Sequence, residues 1–154
     1  MKYQKIYTHP LYSKMLENIN SAEKDRIFCL HGIEHALDTA RIAYILCLEE
    51  KLGIDKELIY AAALLHDIGR YNEENTGHDE ASAAAAERIM PDCGFTPEET
   101  SQAAEAISSH RSGSGKGLGD VLYRADKLSR NCFDCKARQE CYWSEEKMNN
   151  TIKY

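Results

Sequence analysis

The sequence has few of the residues that mark disordered, fibrous or disulfide-rich chains. Its 154 residues include only three prolines and nine glycines, too few for a disordered or collagen-like chain. Six cysteines fall below the density of a disulfide scaffold. Lysine plus arginine number 19 against 25 aspartates plus glutamates, so the net charge is −6. That balance argues against non-specific binding to nucleic acid or to acidic membranes, since both need a positive field.

Long apolar runs are also missing. The longest strongly apolar run, residues 42–48, is far short of the roughly 20 residues that a membrane-spanning helix needs. The first seven residues contain no apolar segment of the kind found in export signals. We therefore expect a cytoplasmic protein with no membrane partner. In a reducing compartment its cysteines serve metal binding, redox chemistry or packing more often than disulfides.

Apolar residues recur at helical spacing along most of the chain, and no segment alternates as a strand does. The length fits one domain of residues 1–154. We predict an all-α fold, a compact bundle of about six or seven helices. Its core should span residues 28–131, followed by a cysteine-containing tail, residues 132–154, that frays from Met148.

Caps and stop signals give five of these helices approximate bounds. Asp55 can cap one helix. Thr96-Pro97-Glu98-Glu99 is a full N-terminal signature, with a cap, proline at the first position and glutamate at the third. Pro91 should end the helix before it. The five helices are expected at residues 32–52, 55–67, 81–90, 97–110 and 120–131.

The sharpest chemical feature is the pair His66-Asp67, which follows an apolar helical stretch. Burying two ionisable groups is costly unless something pairs with them, and a divalent cation is the simplest partner. The alternative is a helix-ending pair that faces water. His35 and Asp126 each lie on a different helix, and with the pair they offer nitrogen and oxygen ligands. Such ligands suit iron, manganese, cobalt, nickel or zinc.

The order His35, His66-Asp67, Asp126 resembles the HD superfamily of metal-dependent phosphohydrolases. Leu-Leu-His-Asp-Ile-Gly-Arg surrounds the pair and Tyr-Arg-Ala-Asp-Lys-Leu surrounds the last acid. The resemblance covers residues 31–130. Within the superfamily, the sequence is most similar to small bacterial HD nucleotide hydrolases, such as the HD-type diadenosine tetraphosphate hydrolases. It implies the helical HD bundle, with His35, His66, Asp67 and Asp126 binding a divalent transition metal. Iron or manganese is the first choice, with zinc, cobalt, nickel or magnesium as alternatives.

The resemblance also implies a second ion. In HD subfamilies with two metals, histidines at the positions of His78 and His110 hold the second ion together with Asp67. The alternative is that His78 faces solvent and that His110 interacts with the negative end of its helix. His31 competes with His35 for the first ion, because residues four apart share a helix face. We prefer His35, which has the helix context of the family ligand.

This ligand set predicts hydrolysis of a nucleotide or another small phosphate ester or anhydride by metal-activated water. Asp67 is a candidate catalytic residue because both ions would share it. Arg70, Lys127 and Arg130 lie next to ligands and are candidate catalytic residues that neutralise phosphate charge. Their alternative role is as solvated surface charges. The same ligands permit a di-iron oxygenase of the HD fold, or a non-catalytic metal or redox sensor. The oligomeric state stays open.

Three cysteines form a separate motif. Cys132, Cys135 and Cys141 have Cys-x2-Cys-x5-Cys spacing, which suits zinc or an iron–sulfur cluster. Three thiolates leave one coordination position open, and the candidates to fill it are Cys29, Cys47, Cys93 and His31. The alternative is three reduced thiols in a packed tail. A metal there would pin the C-terminal segment rather than catalyse.

Overall fold

The computed structural model describes residues 1–71 and 76–154, and within them the chain forms α-helices, two short 3₁₀ turns and no strand. This confirms the predicted all-α class. None of the described helices is long and apolar enough to cross a bilayer. The helices are α1 Lys2–Tyr7, α2 Pro10–Ala22, α3 Ile33–Glu49, α4 Lys56–Leu65, α5 His78–Asp92, α6 Pro97–Ser109 and α7 Leu118–Leu128, and the 3₁₀ turns are Cys132–Asp134 and Arg138–Glu140.

The helix α4 lies at the centre of the bundle and packs against α1, α3, α5, α6 and α7. Its residues 58–65 include only one that is not buried, as expected of a helix that is apolar on nearly every face. Asp55 caps it by accepting the Glu57 amide proton at 2.6 Å, so the predicted cap is confirmed. The apolar helix therefore delivers His66 and Asp67, which directly follow it, into the protein interior.

The helix ends differ from the sequence prediction at several places. Pro91 does not end α5, which continues to Asp92. The amide of Cys93 still bonds the Ile89 and Met90 carbonyls, so the proline costs one bond in a last turn that is otherwise intact. Gly94, with φ +92°, turns the chain away. Five other bounds shift by two or three residues: α3 ends at Glu49, α4 ends at Leu65, α5 begins at His78, and α7 spans Leu118–Leu128.

The core extends further towards the N-terminus than the sequence suggested. Ile6, Tyr12 and Ile19, on α1 and α2, are almost completely buried and belong to the main apolar cluster. The backbone of α1 is also tied to α4, since the Tyr3 amide donates to the Glu57 carboxylate at 3.0 Å. The first 27 residues therefore stabilise the same core.

The tail is anchored by Asn149. Its side chain is buried and donates to the Leu128 carbonyl at 3.0 Å, at the end of α7. Its own carbonyl accepts the Phe133 amide proton at 3.0 Å. The expectation that the chain frays from Met148 is therefore wrong for Asn149, because a buried amide side chain holds this segment against the bundle.

A close backbone contact fixes the start of α5. A Cβ built on Gly69 would lie 2.5 Å from the Ser82 amide nitrogen and 2.7 Å from Ala81, so only glycine fits. The Gly69 amide also donates to the buried Ser82 hydroxyl at 2.9 Å. This contact holds the start of α5, and with it His78, next to the turn that carries Asp67.

Candidate metal centre

Six side chains from distant parts of the chain form two groups that share one residue. In each group the possible ligand atoms lie within 4.8 Å of one another. The shared residue is Asp67. The first group is His35, His66, Asp67 and Asp126, and the second is Asp67, His78 and His110.

The Asp67 carboxylate faces one group with each of its oxygens. Its Oδ2 lies 3.2 Å from His66 Nε2 and 3.5 Å from His35 Nε2. Its Oδ1 lies 3.2 Å from His78 Nε2 and 3.7 Å from His110 Nε2. A carboxylate in this position could offer one oxygen to each of two cations.

Backbone carbonyls set the tautomers of two buried histidines. The Nδ1 of His66 lies 2.7 Å from the Ala63 carbonyl oxygen, and the Nδ1 of His110 lies 2.6 Å from that of Ile107. A carbonyl oxygen only accepts, so both Nδ1 atoms carry the proton. In the neutral ring each Nε2 therefore presents its lone pair to the centre. A ligand histidine in a metal protein is typically held in this way.

His35 is held by a side chain instead. Its Nδ1 lies 3.0 Å from Ser129 Oγ, and that hydroxyl donates its own proton to the Asp126 carbonyl at 2.7 Å. The His35 Nδ1–H is therefore the donor, and its Nε2 faces His66 Nε2 at 3.2 Å. Metal–nitrogen bonds of about 2.0–2.1 Å put two ligands on one ion at about this separation.

The electrostatics of the centre call for positive charge. Burial alone would raise the pKa of Asp67 and Asp126, but the surrounding imidazoles outweigh it and hold both well below their usual range. Burial lowers the pKa of His66, yet the two carboxylates overcome this and raise it to about 10. A buried proton or a metal cation must neutralise these acids. The nitrogen and oxygen donors fit a divalent transition metal.

The three candidate catalytic cations lie beside these ligands. Lys127 Nζ is 2.6 Å from Asp126 Oδ2, and an Arg70 guanidinium nitrogen is 3.8 Å from Asp67 Oδ1. Arg130 is nearly buried and donates to His35 Nε2 at 3.0 Å. All three line one cleft.

That cleft opens over both groups and has a volume of about 710 Å³. Among the described residues its lining combines positive charge with aromatic rings. The cationic side chains are Arg26, Arg70, Arg111, Lys127, Arg130 and Lys147, and the aromatic ones are Phe28, Tyr123, Tyr142 and Trp143. Five residues of the tail thus form part of its wall: Cys141, Tyr142, Trp143, Glu146 and Lys147. Nothing in the sequence pattern indicated this role for the tail.

Sequence reasoning also missed Glu23, a buried acid at the end of α2. Its carboxylate accepts the His31 backbone amide at 2.7 Å and lies 2.6 Å from His31 Nδ1, while Tyr71 donates to it at 3.1 Å. These donors keep the pKa of Glu23 below its usual range despite burial. Burial lowers the pKa of His31 to about 4, so a neutral His31 donates to an ionised Glu23. His31 belongs to neither ligand group.

The remaining predicted site residues, Cys132, Cys135 and Cys141, also lie outside both ligand groups. They line a second cavity, and Cys141 lines the cleft as well. No disulfide links the six cysteines.

The fold is all-α, and it brings together two His/Asp groups that could hold divalent cations. The family model of the HD domain matches residues 32–132, which is more than half of the chain. The chain therefore belongs to the HD family. Membership implies divalent metal binding and hydrolase chemistry at the level of the superfamily.

Three similar proteins frame this assignment. A protein of Clostridium beijerinckii described as uncharacterized is 41% identical over 145 residues, which are 93% of this chain and 92% of that one. Ribonuclease Y of Borreliella burgdorferi is 28% identical, and the match covers 71% of this chain but 25% of that enzyme. The crystal structure of a predicted HD superfamily hydrolase from an uncultured Thermotogales bacterium has 29% identity and a TM-score of 0.62, covering 88% of this chain and 79% of the other.

Proposed function

We propose that the protein is a two-metal phosphohydrolase that acts on a nucleotide. The observation that carries the proposal is the orientation of Asp67, whose two oxygens face two separate ligand groups. His35, His66 and Asp126 complete the first site, and His78 and His110 complete the second. When bound, two divalent cations supply a hydroxide near neutral pH and Lewis-acid stabilisation of phosphate charge.

The side chains around the centre suit an anionic substrate. Lys127 Nζ, at 2.6 Å from Asp126, lies close enough to the ligands to donate to a non-bridging phosphate oxygen. Arg70 and Arg130 line the same cleft and can neutralise charge that develops during attack at phosphorus. The carbonyl and hydroxyl partners of the histidine Nδ1 atoms keep the imidazole rings in place.

The shape and lining of the cleft support a nucleotide over a smaller phosphate. A volume of about 710 Å³ falls in the usual range for small-molecule sites. Phe28, Tyr123 and Trp143 offer ring faces on which a base can stack. Trp143 also lies 5.8 Å from the Lys127 ammonium, so a stacked base and a bound phosphate would be neighbours. We expect iron or manganese as the native metal.

Similarity to ribonuclease Y favours one second candidate, the phosphodiester of a short single-stranded RNA. The net charge of −6 argues against it, because binding along an RNA backbone depends on an extended positive surface. Among the described residues, cations lie near the ligands in the lining of the cleft. A mononucleotide or dinucleotide is therefore the preferred substrate.

The test is a substrate screen on protein loaded with manganese or iron. The panel includes mononucleotides, dinucleoside polyphosphates, sugar phosphates and a short RNA, with products separated by chromatography. We expect nucleotide hydrolysis that a chelator abolishes and that Asp67→Asn lacks. Hydrolysis of the RNA alone would favour the second candidate. Oxygen uptake by the iron-loaded protein without phosphate release would instead favour an oxygenase.

A further inference from the structure

Four of the six cysteines line one cavity of about 300 Å³ beside the metal centre. They come from two distant segments. Cys29 precedes α3. In the tail, Cys132 begins the first 3₁₀ turn, Cys135 directly follows it, and Cys141 directly follows the second. Cys47 and Cys93 are buried elsewhere in the bundle and do not line this cavity. Cys29 is thus the candidate that fills the fourth position left open by the Cys-x2-Cys-x5-Cys motif.

The four thiols are close enough to influence one another. Burial raises the pKa of the Cys29 thiol, Arg130 opposes the rise, and Cys132, Cys135 and Cys141 add to it. Four thiolates facing one cavity repel each other unless a cation neutralises them. The same arrangement of thiolates is what soft metal centres require.

We propose that Cys29, Cys132, Cys135 and Cys141 bind an iron–sulfur cluster. Four cysteine thiolates are the usual ligands of a [4Fe–4S] cluster, and a Cys-x2-Cys pair is a common part of its motif. The cavity walls next to the thiols include Ile27, Phe28 and Met148. Phe28 and Met148 are partly buried and shield part of the cavity from solvent, whereas Ile27 is exposed.

The spacing of the thiols favours a cluster over a single zinc ion. Zinc–sulfur bonds of about 2.3 Å in a tetrahedral site bring the sulfurs to about 3.8 Å from one another. Among the described residues, no three cysteine sulfurs lie within 4.8 Å of one another, in contrast to the His/Asp groups. Four thiols that line one cavity of about 300 Å³ without this close approach fit the larger cluster better than a single ion.

The position of this site gives the cluster a structural task. Cys141 lines both the cavity and the cleft, and Tyr142 and Trp143 follow it in the cleft wall. Cys29 lies on the opposite segment, four residues before α3. A cluster held by both would tether the aromatic wall of the cleft to the helical body.

The experiment is iron and acid-labile sulfide analysis of full-length protein purified without oxygen or reconstituted with iron and sulfide. We expect about four sulfides per chain with the visible absorption of a [4Fe–4S] cluster. Cys29→Ser and Cys141→Ser should reduce the sulfide to background, while the matched controls Cys47→Ala and Cys93→Ala retain it. Retention of sulfide in folded Cys29→Ser protein would overturn the assignment of the fourth ligand.

Wild-type protein provides a test that needs no variant to fold. Absence of labile sulfide after reconstitution, or one zinc ion held by the thiols instead, overturns the cluster. The result is separable from the proposed hydrolase, because the His/Asp centre binds no sulfide. Asp67→Asn should lose the metals of that centre and keep the cluster, so each proposal fails or stands by itself.

Discussion

Removal of His78 tests the two-ion centre most directly. Its ring lies at the start of α5, contacts Asp67 Oδ1 at 3.2 Å and packs beside the ring of His110. The side chain is 18% exposed, so His78→Ala removes a ligand and also the packing of this ring. The first group does not include His78. We therefore expect the variant to hold one ion per chain at the His/Asp centre, where the wild type holds two. Iron that accompanies labile sulfide is left out of this count.

The size of the effect follows from the ligand count. The second site has three protein ligands, Asp67, His78 and His110, and even indirect support of a metal ligand is worth 10–100-fold in affinity. A loss of that size is about 1.4–2.7 kcal/mol. In a chain of this length it lowers the melting temperature of the metal-saturated protein by roughly 3–10 °C. The activity should fall by about 10²–10³-fold, as on loss of an electrostatic stabiliser of the transition state.

Two controls make the measurement decisive. His9→Asn replaces the histidine that caps α2 with another capping residue, far from the ligands, and should leave both ions bound. The difference in melting temperature between chelator-treated His78→Ala and chelator-treated wild type measures the lost packing, and the further difference in the metal-saturated proteins measures the lost metal. Metal titration followed by calorimetry and elemental analysis gives both numbers. Two ions bound to His78→Ala with unchanged affinity would refute the bridging role of Asp67.

Three further predictions follow from the geometry. Gly69→Ala should lower the free energy of unfolding by about 1–3 kcal/mol, as overpacking does. It should also weaken the affinity for the second ion selectively, because the added methyl group pushes the start of α5 away. Thermal melts and metal titration check this, and an unchanged affinity at the second site would contradict it. Lys127→Ala should lower kcat/KM for a nucleotide by about tenfold or more, while Lys14→Ala, an exposed cation of α2, should not; equal effects would mean that only the overall charge matters. The pKa of His66 is raised to about 10, so at pH 7.5 its imidazole carries a proton that a metal must displace. Metal affinity should therefore rise with pH up to about pH 10, and binding at pH 7.5 should release about one proton. Calorimetry in two buffers of different ionisation enthalpy measures that proton, and its absence would indicate that the metal binds away from His66.

The sequence predicts most of what local pattern controls. Thr96 and Glu99 form the expected capping box, because that motif closes within one turn. His66-Asp67 follows an apolar helix, so its burial is readable from α4 alone. The burial of Glu23 cannot be predicted in this way, because its contact with His31 depends on how α2 packs against the loop before α3. Cys29 was one of four candidates for the same reason: only the packed tail brings it to the other thiols.

An anionic chain with a phosphate substrate needs its positive charge in the right place. The net charge of −6 repels anions at long range, yet cationic side chains gather at the cleft. Many other cations are already paired with surface acids, as Arg124 is with Glu50 and Asp120. The attraction is therefore local. Once the substrate lies between Lys127 and the ligands, the charges are closer together than the Debye length of about 8–10 Å, so salt should screen their attraction little. The affinity for a nucleotide should then depend far more on the charge of the centre than on ionic strength.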